Sequence, residues 1–434
     1  MLQDMANEPD FGVVADRGEG IGAVQPMKMG EGGPRYRDAV DLAIELTAKS
    51  AAFRSSLPPA LRAGLAGLVR TVTCYYSNLI EGHDTHPVDI ERALKNDFSA
   101  DPAKRDLQLE ATAHFAVQGW IDGGGLAGRA TSVEGLQEVH RRFCEHLPES
   151  MLWIEPVEGG ERVLVEPGAL RTRDVRVGQH IAISPGAVPR FLEHFAWAYQ
   201  KRGATDAIVS LAAAHHRFAW IHPFLDGNGR VARLMSHAML LDALDALDTG
   251  GVWSIARGLG RNVQAYKRHL AACDLPRRND LDGRGSLSEE ELASFTTFFL
   301  KTCIDQVDFM AGLVEPDQLR SRIRRWAAEE TDGGRLPAKA IQVIDAALYR
   351  GELPRGEVES IVGTGERQAR RVTSALTSLG VLTADSSRAP LQIAFPATLA
   401  GRWMPGLFPE ARSGLRQPLE SSAVRHGAAN GKVS

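Results

Sequence analysis

The sequence predicts a mainly α protein with one β-hairpin set into its helical part and a small domain of helices and paired strands near its C-terminus. Three observations predict it. Apolar residues recur at spacings of three and four over eight segments, 37–54, 60–81, 104–120, 131–147, 187–200, 204–220, 230–247 and 288–313, which is the signature of helices with a buried face. The stretch 162–183 instead alternates β-branched and polar residues, notably Val175, Val177 and Ile181, around Gly168 and Gly178, and so predicts a hairpin. After residue 325 the pattern changes to a helix (AKAIQVIDAALY), a short helix opened by Pro354, a GTG turn, a longer helix (ERQARRVTSALTSLG) and a strand pair (VLTADSSRAPLQIAF).

The element ends carry their own signals. Gly82 follows the second helical segment and predicts its end, because glycine takes the left-handed C′ conformation without a Cβ clash. Ser288 followed by Glu291 is a capping box ahead of the run LASFTTFFL. Residues 1–35 are rich in glycine and polar residues, lack apolar periodicity, and predict a flexible leader; 401–434 predict a similar tail. No internal repeat is present at solenoid periods.

Composition excludes several classes. With 434 residues, 44% of them hydrophobic, the chain can bury two or three cores. Fifty basic residues against fifty-four acidic ones leave a net charge of −4, so no global field draws it to nucleic acid or an anionic membrane. No apolar run reaches 18 residues, and the N-terminus (MLQDMANEPD) lacks the basic and apolar regions of a signal peptide, which predicts no membrane span and a cytoplasmic location. Cys74, Cys144, Cys273 and Cys303 are scattered singly and are expected as small buried hydrophobes.

The chemistry concentrates in residues 222–233, HPFLDGNGRVAR, between two apolar helical segments. Gly227-Asn228-Gly229 can turn backbone N–H groups toward one point, to which the following helix also presents its N-terminus, and the two together make an anion site. Arg230 and Arg233, three apart on the first turn, can both reach one polyphosphate. Asp226 is a hard oxygen ligand of the kind Mg²⁺ takes alongside phosphate oxygens. His222, with an ordinary pKa of ~6.5, can accept a proton from a hydroxyl nucleophile.

This string resembles the H-x-F-x-[D/E]-G-N-G-R-x-x-R motif of Fic-domain proteins at every fixed position, a match expected by chance on the order of 10⁻⁸ times in a chain of this length. The resemblance implies a helical Fic core that binds ATP with Mg²⁺ and transfers AMP to a Tyr, Ser or Thr hydroxyl of a target protein, or of the chain itself, releasing pyrophosphate. It implies His222 as general base, Phe224 as an apolar anchor and Asp226 as the Mg²⁺ ligand. Gly227, Asn228, Gly229, Arg230 and Arg233 would hold the nucleotide phosphates. The kinase branch of the family carries lysine where this chain has Gly229, and the phosphocholine-transferring branch commonly lacks the glycine at position 227, so adenylyl transfer is favoured over another nucleotide or phosphodiester donor.

A second match lies upstream. Residues 77–82, SNLIEG, fit the [S/T]-x-x-x-E-[G/N] pattern of an inhibitory helix, here about 66–82. Such a pattern arises by chance in roughly a third to a half of chains this long, and its place ahead of the core makes it informative. The resemblance implies that Glu81 pairs with Arg233 and denies it to the ATP γ-phosphate, that Ser77 supports the helix, that Gly82 ends it, and that Glu81 also serves removal of AMP from modified targets. The hairpin then corresponds to the family's flap, with Val175, Arg176, Val177 and Gly178 as the edge that docks a target segment by main-chain bonds. Asn262 and Tyr266, four apart, correspond to the stretch that closes over ribose and adenine.

The C-terminal pattern resembles a winged helix-turn-helix domain. Arg367, Arg370 and Arg371 fall on its longer helix and Arg388 in the wing, which opens a rival reading as a DNA-binding transcriptional regulator. Against it, residues 337–395 hold seven basic and six acidic residues, a weak electrostatic footprint for DNA. The expected organisation is a leader 1–35, an N-terminal helical region 36–130, a Fic core 131–315, a linker 316–336, a winged helix-turn-helix domain 337–400 and a tail 401–434. Expected partners are ATP, a target protein with a surface hydroxyl, DNA through 337–400, and a second copy in a homodimer, with no membrane.

Overall fold

The computed structural model of the chain describes residues 15–154, 162–200, 203–246 and 251–409. Five helices come first: α1 (Pro34–Ser55), α2 (Pro59–Ile80), α3 (Pro87–Leu94), α4 (Pro102–Asp122) and α5 (Val133–Cys144). Two antiparallel pairs follow, β1 (Trp153–Ile154) with β2 (Val163–Leu164) and β3 (Arg176–Val177) with β4 (His180–Ile181). Then come α6 (Val188–Tyr199), α7 (Ala204–Val209), α8 (Leu211–Ile221), α9 (Asn228–Ala243), α10 (Ile255–Arg261), α11 (Val263–Ala272), α12 (Glu289–Leu313) and α13 (Pro316–Asp332). The chain finishes with α14 (Ala340–Arg350), β5 (Glu352–Leu353), α15 (Val358–Val362), α16 (Glu366–Ser378), β6 (Leu382–Thr383), β7 (Leu391–Ile393) and α17 (Ala397–Trp403).

Local chemistry starts these helices. α1, α2, α3, α4 and α13 each open on a proline, whose missing N–H is one that the first turn would leave unpaired. Ser132, Ser254 and Ser288 cap α5, α10 and α12 by accepting from the N–H three residues on, as the Ser288 capping box predicts.

α8 and α9 form the centre. Every residue of α8 but Ala219 is buried, as is every residue of α9 except Gly229 and Asp242. They are enclosed on all sides, by α6, α7 and α12 around α8 and by α2, α4, α5 and α7 around α9. α1 lies along α12, and α2 runs between α4 and α10. A polar stripe of Glu110, His114, Gln118 and Asp122, one every four residues and all buried, runs along the inner face of α4. Its ends are paired: Glu110 with Arg230, and Asp122 with His237 and Arg70. Among the described residues no helix is long and apolar enough to cross a membrane.

Four expectations need correction. Of the expected leader, 1–14 lie outside the described residues, but Val24, Met27 and Met29 are buried and Pro26 O accepts from Arg217, so 15–33 pack onto the core. The stretch 162–183 is not one hairpin: its first strand pairs back to Trp153–Ile154, and only Arg176–Ile181 closes on itself. The expected linker 316–336 is largely α13, capped by Glu315 and seated by buried Leu319, Ile323, Trp326 and Ala327. These recur at helical spacing, and the Gly-rich TDGGR stretch only ends the helix. The expected tail 401–434 begins inside α17, and Trp403, Met404 and Leu407 are buried; 410–434 lie outside the described residues. The C-terminal module has α14, α15 and α16 against a three-stranded antiparallel sheet in the order β5-β7-β6.

Candidate active site

The loop between α8 and α9 is built to hold one shape. His222 ends α8 in the left-handed region, φ 51° and ψ 62°, which turns the chain sharply out of the helix. Asn228 closes the loop by a two-way clasp: its Oδ1 accepts from Phe224 N at 3.0 Å and its Nδ2 donates to Phe224 O at 2.8 Å. Phe224 is wholly buried and stacks on His140, ring centroids 4.0 Å apart and planes within 3°. Gly227 precedes α9 with φ 78°, a conformation a β-carbon disfavours, and α9 begins with no acidic side chain in its first turn. The free N–H groups and positive end of α9 are therefore open to an anion.

Both arginines of the loop are buried and already paired. Arg230 meets Glu110, itself fully buried on α4, and lies 3.7 Å from Asp226. Glu110 also bonds His83 Nδ1 at 2.6 Å, which raises the His83 imidazole above its ordinary value. Arg233, 3% exposed, donates Nε to Ser77 Oγ at 2.8 Å, and its Nη2 reaches Ser77 O at 3.2 Å and Glu81 Oε1 at 2.5 Å.

Glu81 is the residue immediately past α2, and Gly82 follows with φ 94°, the glycine stop expected there. A carboxylate at a helix C-terminus faces the negative end of the dipole, so the helix alone disfavours it. Burial also pushes its pKa up, but the Arg233 and Arg230 charges outweigh both effects and hold Glu81 below the ordinary glutamate value. The carboxylate lies over Gly229, where an added β-carbon would stand 2.5 Å from Glu81 Oε1 and 3.2 Å from Arg233 Nη1. Gly229 thus leaves the space that the Glu81–Arg233 pair fills.

His222 is part-buried, and its Nδ1 faces Ala219 O at 3.3 Å, an arrangement that leaves Nε2 as the free acceptor. Burial lowers its pKa to about 4, so the imidazole is neutral at physiological pH. Asp226 has 55% of its side chain exposed beside the mouth of α9. One open carboxylate next to an anion site fits a Mg²⁺ that takes its other ligands from phosphate oxygens and water. No group of three or more His, Cys, Asp or Glu side chains placed for a metal occurs among the described residues.

The β3–β4 hairpin turns at Gly178 and presents Val177 and Ile181 outward, 45% and 65% exposed, with Val175 and Arg176 leading in. It is fastened to the end of α8 and to the loop after it. His180 Nε2 meets Trp220 O at 2.8 Å, and Arg171, 2% exposed, binds three carbonyl oxygens: His222 at 2.7 Å, Arg173 at 2.9 Å and Ile183 at 2.5 Å. Arg171 N also donates to Pro223 O at 2.9 Å. A single guanidinium therefore ties both bases of the hairpin to the histidine.

Of the residues picked from the sequence, His222, Asp226, Gly227, Asn228, Gly229, Arg230, Arg233, Ser77 and Glu81 converge on one site. Tyr266 is buried instead, with its hydroxyl 2.7 Å from His215 Nε2; burial raises it to about 12 against the pull of the Arg233 charge. It packs behind Arg233, whereas Asn262 lies exposed at the α10–α11 junction, so the two do not share an open face. Sequence reasoning missed Glu110, His83 and His140 as parts of the site, because they carry no motif and only packing reveals them. Arg171 lies in PGALRTRDVRVG, which resembles the family's glycine and arginine ahead of the flap, and the fold adds its carbonyl contacts.

Within this helical core, residues 130–240, about a quarter of the chain, match the profile of the Fic/DOC family. Over 171 residues the chain is 29% identical to a protein of Drosophila sechellia described as protein adenylyltransferase Fic, covering 39% of this chain and 32% of that one. The protein of the same description from Drosophila yakuba is 28% identical over the same length. The chain spans about a third of the length of the curated relatives it matches. Among solved structures it is similar to a Fic family protein from Desulfovibrio desulfuricans G20, at 17% identity and a TM-score of 0.49, covering 85% of this chain and 98% of that one.

Proposed function

We propose that this chain is a nucleotidyltransferase that moves AMP from ATP to a hydroxyl side chain of a protein, and that Glu81 holds it in check. The observation that carries the reading is the Glu81–Arg233 pair over Gly229, because it occupies the guanidinium that a terminal phosphate would take. Charge-assisted bidentate capture of phosphate is the ordinary use of such an arginine, and a carboxylate in its place both competes and repels.

In the transfer, the target hydroxyl attacks the α-phosphorus and gives its proton to His222 Nε2. The bond to the β-phosphate oxygen breaks, and pyrophosphate leaves with the electron pair. Neutral His222 is ready to accept that proton because burial keeps it unprotonated. Gly227, Asn228, Gly229 and the start of α9 cradle the phosphates, and Arg230, held by Glu110, offers fixed positive charge. Asp226 would hold Mg²⁺, which when bound neutralises phosphate charge. The hairpin edge at 175–178 would align an extended target segment beside His222. The single, buried cysteines fit a cytoplasmic setting.

The test is incubation with ATP labelled on the α- or the γ-phosphate. Glu81→Gly should retain the α label and not the γ label, and His222→Ala should retain neither. Retention of γ label would overturn adenylyl transfer. The geometry of α14–α16 and the β5-β7-β6 sheet supports reading the C-terminal module as a winged helix. The exposed Arg367, Arg370 and Arg371 of α16 favour a duplex contact, although Arg370 is already paired with Glu366. Tight, strongly salt-dependent duplex binding by the full chain would support that role.

A further inference from the structure

We infer that the C-terminal module and the turn at 404–408 that follows α17 together clamp α2, and that this turn sets the position of Glu81. The inference rests on the reading of Glu81 as a brake and names what holds the brake in place. Module and turn grip α2 at both ends. At the start of the helix, Gly64 lies under β7 so closely that an added β-carbon would stand 2.6 Å from Ile393 O, and Gly351 abuts Pro58 and Ala60. At the far end, Tyr76 donates its hydroxyl to Leu407 O at 3.1 Å, and Tyr75 packs edge-on to Phe408 with centroids 5.6 Å apart.

Residue 77 follows directly, and it is Ser77 that receives Arg233 through both its hydroxyl and its carbonyl. One peptide therefore separates the clamp contact at Tyr76 from the Ser77 contact to Arg233, and Glu81 follows just past the end of the same helix. On a helix that spacing is rigid, since Tyr76 and Glu81 lie within two turns.

The turn itself is anchored. Leu407 is fully buried, and Arg257 of α10 donates to Gly406 O at 2.7 Å and Leu407 O at 3.1 Å. Arg322 of α13 binds Trp403 O at 2.7 Å. On the other side of Tyr76, Gly260 of α10 packs so tightly that a β-carbon there would meet the ring at 2.8 Å.

A second observation shows that the end of α2 needs holding. Asn78 is fully buried, and neither its Oδ1 nor its Nδ2 makes a hydrogen bond. Burying an unbonded amide is costly, so this turn stays in place only while other contacts outweigh that cost. Tyr75 and Tyr76, held by the 404–408 turn, supply such contacts on the same turn of helix.

Whatever displaces the 404–408 turn should therefore loosen residues 77–82 and free Arg233. Two variants of the full chain test this: Tyr76→Phe, which removes only the hydroxyl, and Phe408→Ala, which removes the ring. Hydrogen exchange of the 78–82 amides is the first readout and needs no activity; it should quicken by about fivefold in Tyr76→Phe, the effect of losing one hydrogen bond. AMP labelling is the second. It should rise in both variants, yet neither change should add to the labelling of Glu81→Gly. Unchanged exchange at 78–82 in both variants would overturn the clamp whatever the labelling. Faster exchange with further gains on the Glu81→Gly background would show that the clamp does not act through Glu81 and would overturn the inference equally. Absence of labelling from Glu81→Gly itself would count against the proposed transfer and leave exchange to decide the clamp.

Discussion

Replacing Glu81 should tighten ATP binding, by an amount set by one bond. The carboxylate holds Arg233 Nη2 at 2.5 Å, and Arg233 keeps its two contacts to Ser77 when the carboxylate is gone. A hydrogen bond between charged groups contributes about 1.5–3 kcal/mol, and an incoming γ-phosphate must displace it. That range corresponds to a gain of about 10- to 150-fold in affinity. A third of the Glu81 side chain is open to water, which screens the pair and places the gain for Glu81→Ala near the lower end, about tenfold. Glu81→Gln keeps the shape and an acceptor oxygen but loses the charge, so it should gain about threefold, the difference between a charged and a neutral bond. Calorimetric titration with ATP and Mg²⁺ measures all three forms. Equal affinities, with melting temperatures unchanged, would refute competition between Glu81 and phosphate for Arg233.

Three further outcomes follow from the same geometry. Asn228→Ala removes both bonds of the loop clasp and leaves Phe224 N and O unpaired in a buried place, so it should cost about 2–3 kcal/mol and lower the melting temperature by about 2–5 °C. Arg171→Leu on a Glu81→Gly background should cut labelling about 10²-fold while ATP affinity holds, because it unties the hairpin from His222 and leaves the phosphate cradle intact. Arg171→Lys should not rescue it, since one ammonium cannot span three carbonyls. Stability should fall as pH drops below about 6.5. Burial lowers His114 and His215 to about 3 and His140 and His216 to about 4, so the unfolded chain takes up protons that the folded one refuses. Neither ring nitrogen of His114 is bonded, so His114→Phe should reduce that slope, by up to about 1.4 kcal/mol per pH unit, in melting curves between pH 4 and 6.5.

What could be read from the sequence was the chemistry carried by neighbours in the chain. HPFLDGNGRVAR lies on one loop and one helix turn, so the convergence of its residues is local and legible, and Gly82 marks the end of α2 as glycine does for many helices. What escaped depends on contacts between distant segments. The contacts of Arg171 to His222 and Ile183 cannot be read from PGALRTRDVRVG itself, and Glu110 gains meaning only where α4 meets α9. Tyr266 and Asn262 fit a helical spacing, yet the break between α10 and α11 at Asn262 sends one outward and the other into the core. α13 was legible from Leu319, Ile323 and Trp326, and the Gly-rich TDGGR stretch beyond it hid the helix behind the expectation of a linker.

The central claim is that AMP transfer depends on His222 as the base and that Glu81 restrains it. It is tested most directly by intact-mass measurement of the purified chain after incubation with ATP and Mg²⁺. Glu81→Gly should gain the mass of whole AMP moieties on itself or on an added target, the wild type far less, and Glu81→Gly combined with His222→Ala none. Equal adduct on the single and double variants, or a mass gain of phosphate in place of AMP, would contradict it.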